Sequence, residues 1–145
     1  MRSKVFLAGG AVALALTAAA CGNGADVGSG TKDNPRTIEV EALNDLSYDP
    51  TSIEVGTGET VRFVVTNTGD TKHEFVVGDQ EMQGMAEEQA MGVMHDHAET
   101  MASLMLNPGE TAETVVTFDQ PGDLLYACHI EGHYDGGMVG TITVT

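Results

Sequence analysis

The chain reads as an all-β protein, a β-sandwich of about seven short strands. Three observations predict it. From Thr37 onward apolar and polar residues alternate with the period of two that lays one face of a strand on a core. Turn residues punctuate these runs at Asp49-Pro50, Gly56-Thr57-Gly58, Asn67-Thr68-Gly69-Asp70, Asn107-Pro108-Gly109 and Gln120-Pro121-Gly122. At 145 residues there is room for one domain.

The strands follow in order. Ile38, Val40 and Ala42 alternate with Glu39 and Glu41, and Ile53 and Val55 flank Glu54. Val61, Phe63 and Val65 alternate with Arg62 and Val64. Phe75–Val77, Thr114–Phe118, Leu124–Ala127 and Val139–Val144 continue the pattern. The expected packing is two antiparallel sheets. Between about residues 80 and 106 the alternation stops, and six of the eight methionines gather there. Met91, Met94, Ala98, Met101 and Met105 fall on a helical stripe, so a short helical, Met-rich insertion lying on the sandwich is expected.

The N-terminus is built differently. Arg2 and Lys4 precede an apolar run from Val5 to Ala20 that is too short and Ala-rich for a membrane span, and it reads as a signal peptide over 1–20. Ala18-Ala19-Ala20-Cys21-Gly22 resembles the lipobox of bacterial lipoproteins, with Ala18 where that family usually has Leu, Val or Ile. The resemblance implies diacylglycerol on Cys21, and two acyl chains suffice for stable attachment. Residues 21–36 are rich in Gly, Ser, Asn and Asp and read as the lipidated N-terminus and a flexible tether. The domain is expected over 37–145. The formal net charge of −16 becomes two units more negative once Arg2 and Lys4 leave with the leader. That balance excludes nucleic acid as a partner and suits a soluble exterior or a basic redox partner.

The chemistry is concentrated in Tyr126-Ala127-Cys128-His129-Ile130-Glu131-Gly132-His133-Tyr134-Asp135-Gly136-Gly137-Met138. A strand delivers Cys128, a loop follows, and a strand resumes at Val139. A thiolate, an imidazole and a thioether thus share one loop, spaced Cys-x4-His-x4-Met, while Gly132, Gly136 and Gly137 let it fold tightly. His73 follows the Asn67–Asp70 turn and is well placed to be the fourth ligand. Two imidazoles and a thiolate in a plane, with a distant Met, form the ligand set of an electron-transfer copper site. Thiolate ligation requires Cys128 to lose its proton, which a bound metal enforces.

With the preceding Gln120-Pro121-Gly122-Asp123-Leu124-Leu125-Tyr126 and the upstream Asn67-Thr68-Gly69 and His73-Glu74-Phe75, this spacing resembles the cupredoxin (type 1 blue-copper) family, which includes rusticyanins, auracyanins and plastocyanins. The resemblance covers Ile38 to Val144. It implies a Greek-key sandwich holding one copper ion per chain at one end, bound by His73, Cys128, His133 and axial Met138. It also implies one-electron transfer between membrane-bound redox partners, with the protein extracytoplasmic, monomeric and not an enzyme.

Two features are weighed against that expectation. His129 follows Cys128, as do histidines that bind the trinuclear cluster of multicopper oxidases, and His95-Asp96-His97 supplies a His-x-His pair. The five histidines are too few for such a cluster. Strand alternation places His129 opposite Cys128, facing solvent or a docking surface. Clustered Met91, Met94, Met101 and Met105 with His95 and His97 suit Cu(I), which makes copper trafficking or resistance the rival function. Their alternative role is packing as an adaptable apolar face.

Overall fold

The computed structural model describes residues 30–91 and 100–145. Among these described residues nine strands and one helix follow in chain order: β1 (Arg36–Ala42), β2 (Tyr48–Asp49), β3 (Ser52–Val55), β4 (Glu59–Asn67), β5 (His73–Gly78), α1 (Gln80–Ala90), β6 (Ala102–Leu106), β7 (Thr111–Phe118), β8 (Gly122–Ala127) and β9 (Val139–Val144). One sheet runs β2-β1-β4-β7 and the other β3-β9-β8-β5-β6. The β-sandwich is therefore as expected, and all seven anticipated strands are present. The sheets are mixed rather than antiparallel throughout: β1 pairs with β4, and β3 with β9, in parallel register. Alternation specifies which face is buried and is silent about the direction of a neighbour.

Alternation builds the core. In β4 Val61, Phe63 and Val65 are fully buried, in one core with Phe75, Val77, Tyr126 and Ile142 of the other sheet and Phe118 of the neighbouring β7. The aromatic rings meet edge-on or tilted, Tyr48 with Phe75 at 5.9 Å and Phe63 with Phe75 at 5.4 Å between centroids, the arrangement their quadrupoles favour. Tyr48 also donates its hydroxyl to the Glu74 carbonyl, pinning β5 next to His73.

The insertion differs from expectation. Its helix lies early, over Gln80–Ala90, where Asp79 caps it by accepting from the Met82 N–H at 2.8 Å. Residues 102–106, expected within the helical insertion, form β6 instead, paired antiparallel to β5 with His73 opposite Leu106. Ala-Ser-Leu-Met-Leu alternates in burial, and Met105 points outward at 52% exposure. Of the stripe residues that are described, Met91 follows the end of α1, Met101 precedes β6 and Met105 lies on it. Met94, His95 and His97 lie outside the described residues, as do the leader, Cys21 and most of the tether. Gly30 is buried and the Thr60 N–H donates to its carbonyl, so contacts with the sandwich begin before residue 37.

Candidate metal centre

Three side chains from two segments converge at the β4–β5 end of the sandwich. His73 opens β5, Cys128 follows the last residue of β8, and His133 sits in the loop between β8 and β9. Their ligand atoms all lie within 4.8 Å of one another. Cys128 Sγ is 3.4 Å from His133 Nδ1, and the rings of His73 and His133 are 5.1 Å apart. Met138, expected to complete the set, is fully buried at the other end of the loop. Its carbonyl accepts from the Cys128 N–H at 3.1 Å and its N–H donates to the His133 carbonyl at 3.0 Å. The backbone thus ties all three loop residues together.

The loop is braced from within. His133 N–H donates to the Ile130 carbonyl, Gly136 to Gly132 and Gly137 to Tyr134. Gly132 and Gly137 adopt φ of 81° and 96°, a left-handed backbone that only glycine takes at little cost. His73 is delivered by the turn before it. The fully buried Asn67 accepts from the Gly69 N–H and donates to the carbonyls of Thr71 and Leu106. Gly69 closes over the imidazole, and a Cβ there would lie 2.9 Å from His73 Nε2. Any larger residue would push the ring from its place.

The electrostatics fit a metal. His73 is fully buried, yet neither ring nitrogen has a hydrogen-bond partner. Such a group costs on the order of 1–3 kcal/mol, and a cation bound by the ring offsets that cost. Burial, followed by the charge of His133, lowers the pKa of His73 and keeps the imidazole in its neutral, ligating form. Burial pushes the Cys128 thiol up, against hydrogen bonds from the Ile130 and Glu74 amides. Glu74 N–H reaches Sγ at 3.3 Å. A soft thiolate and two imidazoles suit copper.

His129 departs from expectation. It is 2% exposed rather than facing solvent. Its Nδ1 lies 2.7 Å from Glu87 and its Nε2 2.7 Å from Gln83, both on α1. The alternation rule fails because β8 ends at Ala127, so Cys128 and His129 have left the pleat. Glu74, Gln83 and Glu87 escaped sequence reasoning, since nothing in a linear pattern marks a polar side chain that will be buried against another element.

Comparison with known proteins agrees with the geometry. Residues 36–145 match the model of copper binding proteins of the plastocyanin/azurin family. The chain is 38% identical over 138 residues to the copper-resistant cuproprotein CopI of Pseudomonas aeruginosa, covering 75% of this chain and 76% of that one. It is 33% identical over 123 residues to auracyanin-B of Chloroflexus aurantiacus, covering 76% of this chain and 52% of the relative. The dithionite-reduced auracyanin of Roseiflexus castenholzii superposes with a TM-score of 0.68 at 29% identity, over 75% of this chain and 96% of that one. The chain belongs to the plastocyanin/azurin family of copper-binding proteins.

Proposed function

We propose that this protein is an extracytoplasmic, membrane-anchored carrier of single electrons, with one type 1 copper held by His73, Cys128, His133 and Met138. The observation that carries the reading is His73, a fully buried imidazole without a hydrogen-bond partner, clustered with a buried cysteine and a second imidazole. Copper bound there supplies a couple that changes by one electron. The protein's part is to keep its ligands still. His73 is held by the Asn67 turn and Gly69, Cys128 by the Glu74 amide, and His133 and Met138 by the loop's own hydrogen bonds. Because His73, Cys128 and Met138 are fully buried, water has little access to the site. Ligands fixed before the metal arrives need little rearrangement when its charge changes. The leader and Cys21 support membrane attachment, and the acidic surface favours basic redox partners.

A second reading, copper resistance, is favoured by the name of the 38%-identical Pseudomonas relative. The exposed Met91 and Met105 are compatible with it. One titration separates the two. The domain, cut after Cys21, is loaded with Cu(II) and then with Cu(I), with optical and EPR spectra recorded and bound metal counted. One copper per chain with an intense thiolate charge-transfer band, bleached and restored by reductant and oxidant, supports the carrier. A colourless protein that takes up several Cu(I) ions overturns it in favour of resistance.

A further inference from the structure

The residue after Cys128 is unusually well bonded. His129 Nε2 lies 2.7 Å from Gln83 Oε1, and Nδ1 lies 2.7 Å from Glu87 Oε2. Gln83 is itself fully buried, and its Nε2 donates to the carbonyls of Val76 at 2.9 Å and Leu125 at 3.2 Å. Those donations fix the orientation of the amide. Its Oε1 is therefore the acceptor, and His129 Nε2 carries the hydrogen. The Glu87 carboxylate holds Nδ1 at 2.7 Å on the other side, so both sides of the ring are clamped. A third clamp acts on the backbone. The His129 N–H donates to Glu74 Oε2 at 3.3 Å, while the Glu74 N–H donates to Cys128 Sγ at 3.3 Å. Tyr134, one residue beyond His133, stacks on the His129 ring at 5.1 Å and 21°.

Gln83 and Glu87 are one helical turn apart and share a face of α1. That face buries a glutamine whose amide joins His129 to the carbonyls of Val76 and Leu125, partners that a leucine could not supply. A buried polar network stabilises only when every member is satisfied, and then it favours one geometry over its neighbours. Here the geometry it selects is that of the Cys128–His129 peptide.

We propose that α1 is a strut for the copper thiolate: Gln83 and Glu87 are positioning residues that act through His129 to fix the direction of Cys128 Sγ. The inference rests on the reading of Cys128 as a copper ligand. It gives the insertion after β5 a role at the metal centre that does not depend on its methionines. Groups hydrogen-bonded to a metal's ligands typically change its affinity 10–100-fold when lost, and Gln83 and Glu87 stand one residue further out.

The test uses the copper-loaded protein and four variants. Glu87→Ala and Gln83→Ala open the clamp, and Glu87→Gln keeps a hydrogen-bonding partner for Nδ1. Met82→Ala serves as a packing control, because Met82 lies against Gly78 and makes none of the clamp's hydrogen bonds. The readouts are the intensity ratio of the thiolate-to-copper bands, the EPR hyperfine splitting and copper affinity by chelator competition, beside the melting temperature. Glu87→Ala and Gln83→Ala are expected to shift both spectra and weaken copper binding about tenfold. Glu87→Gln should restore most of the change, and Met82→Ala should lower only the melting temperature. The proposal is overturned if the two opening variants behave as Met82→Ala does. An unaltered protein that lacks a thiolate–copper band overturns the reading of Cys128 itself, and this inference with it.

Discussion

Strand β4 joins two ends of the sandwich that treat buried polar groups in opposite ways. At its start, Glu59 has a carboxylate shielded from solvent, yet Arg36 donates to both of its oxygens and the amides of Gly56 and Gly30 add to them. At its far end, the turn after Asn67 delivers His73, equally buried, with both ring nitrogens unpaired. The same fold satisfies a charge at one end and leaves a neutral donor–acceptor ring unsatisfied at the other. The Glu59 end serves the stability of the chain, and the His73 end spends some of that stability on a site for a metal.

The largest expected effect comes from Cys128→Ser, which should abolish the intense visible band in an absorption spectrum of the copper-loaded protein. His73→Leu should sharpen the contrast by pulling two quantities apart. Copper affinity should fall by at least about 100-fold, beyond what neighbours of a ligand usually cost. The metal-free domain should instead gain about 1–2 kcal/mol in denaturant unfolding, because an unpaired buried group is gone. A loss of metal-free stability would show that the ring is not a burden on the fold. Glu59→Gln should do the reverse. It removes the charge facing Arg36 and should cost about 3 kcal/mol, leaving the copper spectrum unchanged.

The smallest effect is in pH. Burial and His133 lower the pKa of His73, so between the folded value and the unfolded value near 6.5 the unfolded chain binds the extra proton. Its contribution to metal-free stability is complete above the unfolded value and is lost as pH falls through the folded one. The melting temperature of the metal-free protein should drop over that window, and His73→Leu should flatten the drop.

The two ends were not equally legible in the sequence. Cys128, His133 and Met138 fall within one loop, so their spacing alone announced them, and the Asn67–Asp70 turn pointed to His73. The strands were legible wherever apolar residues alternate. β6 was hidden because Met105 is apolar yet exposed, so a period of two over Ala102–Leu106 passed for part of a helical stripe. β2, with two residues, is too short to show any period. The His129 clamp depends on where α1 settles, and the Arg36–Glu59 pair spans a parallel strand neighbour. Both are tertiary facts that no local pattern encodes.

Ligands fixed in advance would hold copper without rearrangement as its charge changes. X-ray absorption at the copper edge, on the oxidised and then the reduced protein, tests this most directly. A short sulfur and two imidazole nitrogens are expected in both states, with little change in distance between them. Loss of an imidazole on reduction, or a shell rebuilt from thioethers alone, would contradict it and mark the protein as one that stores or hands on copper.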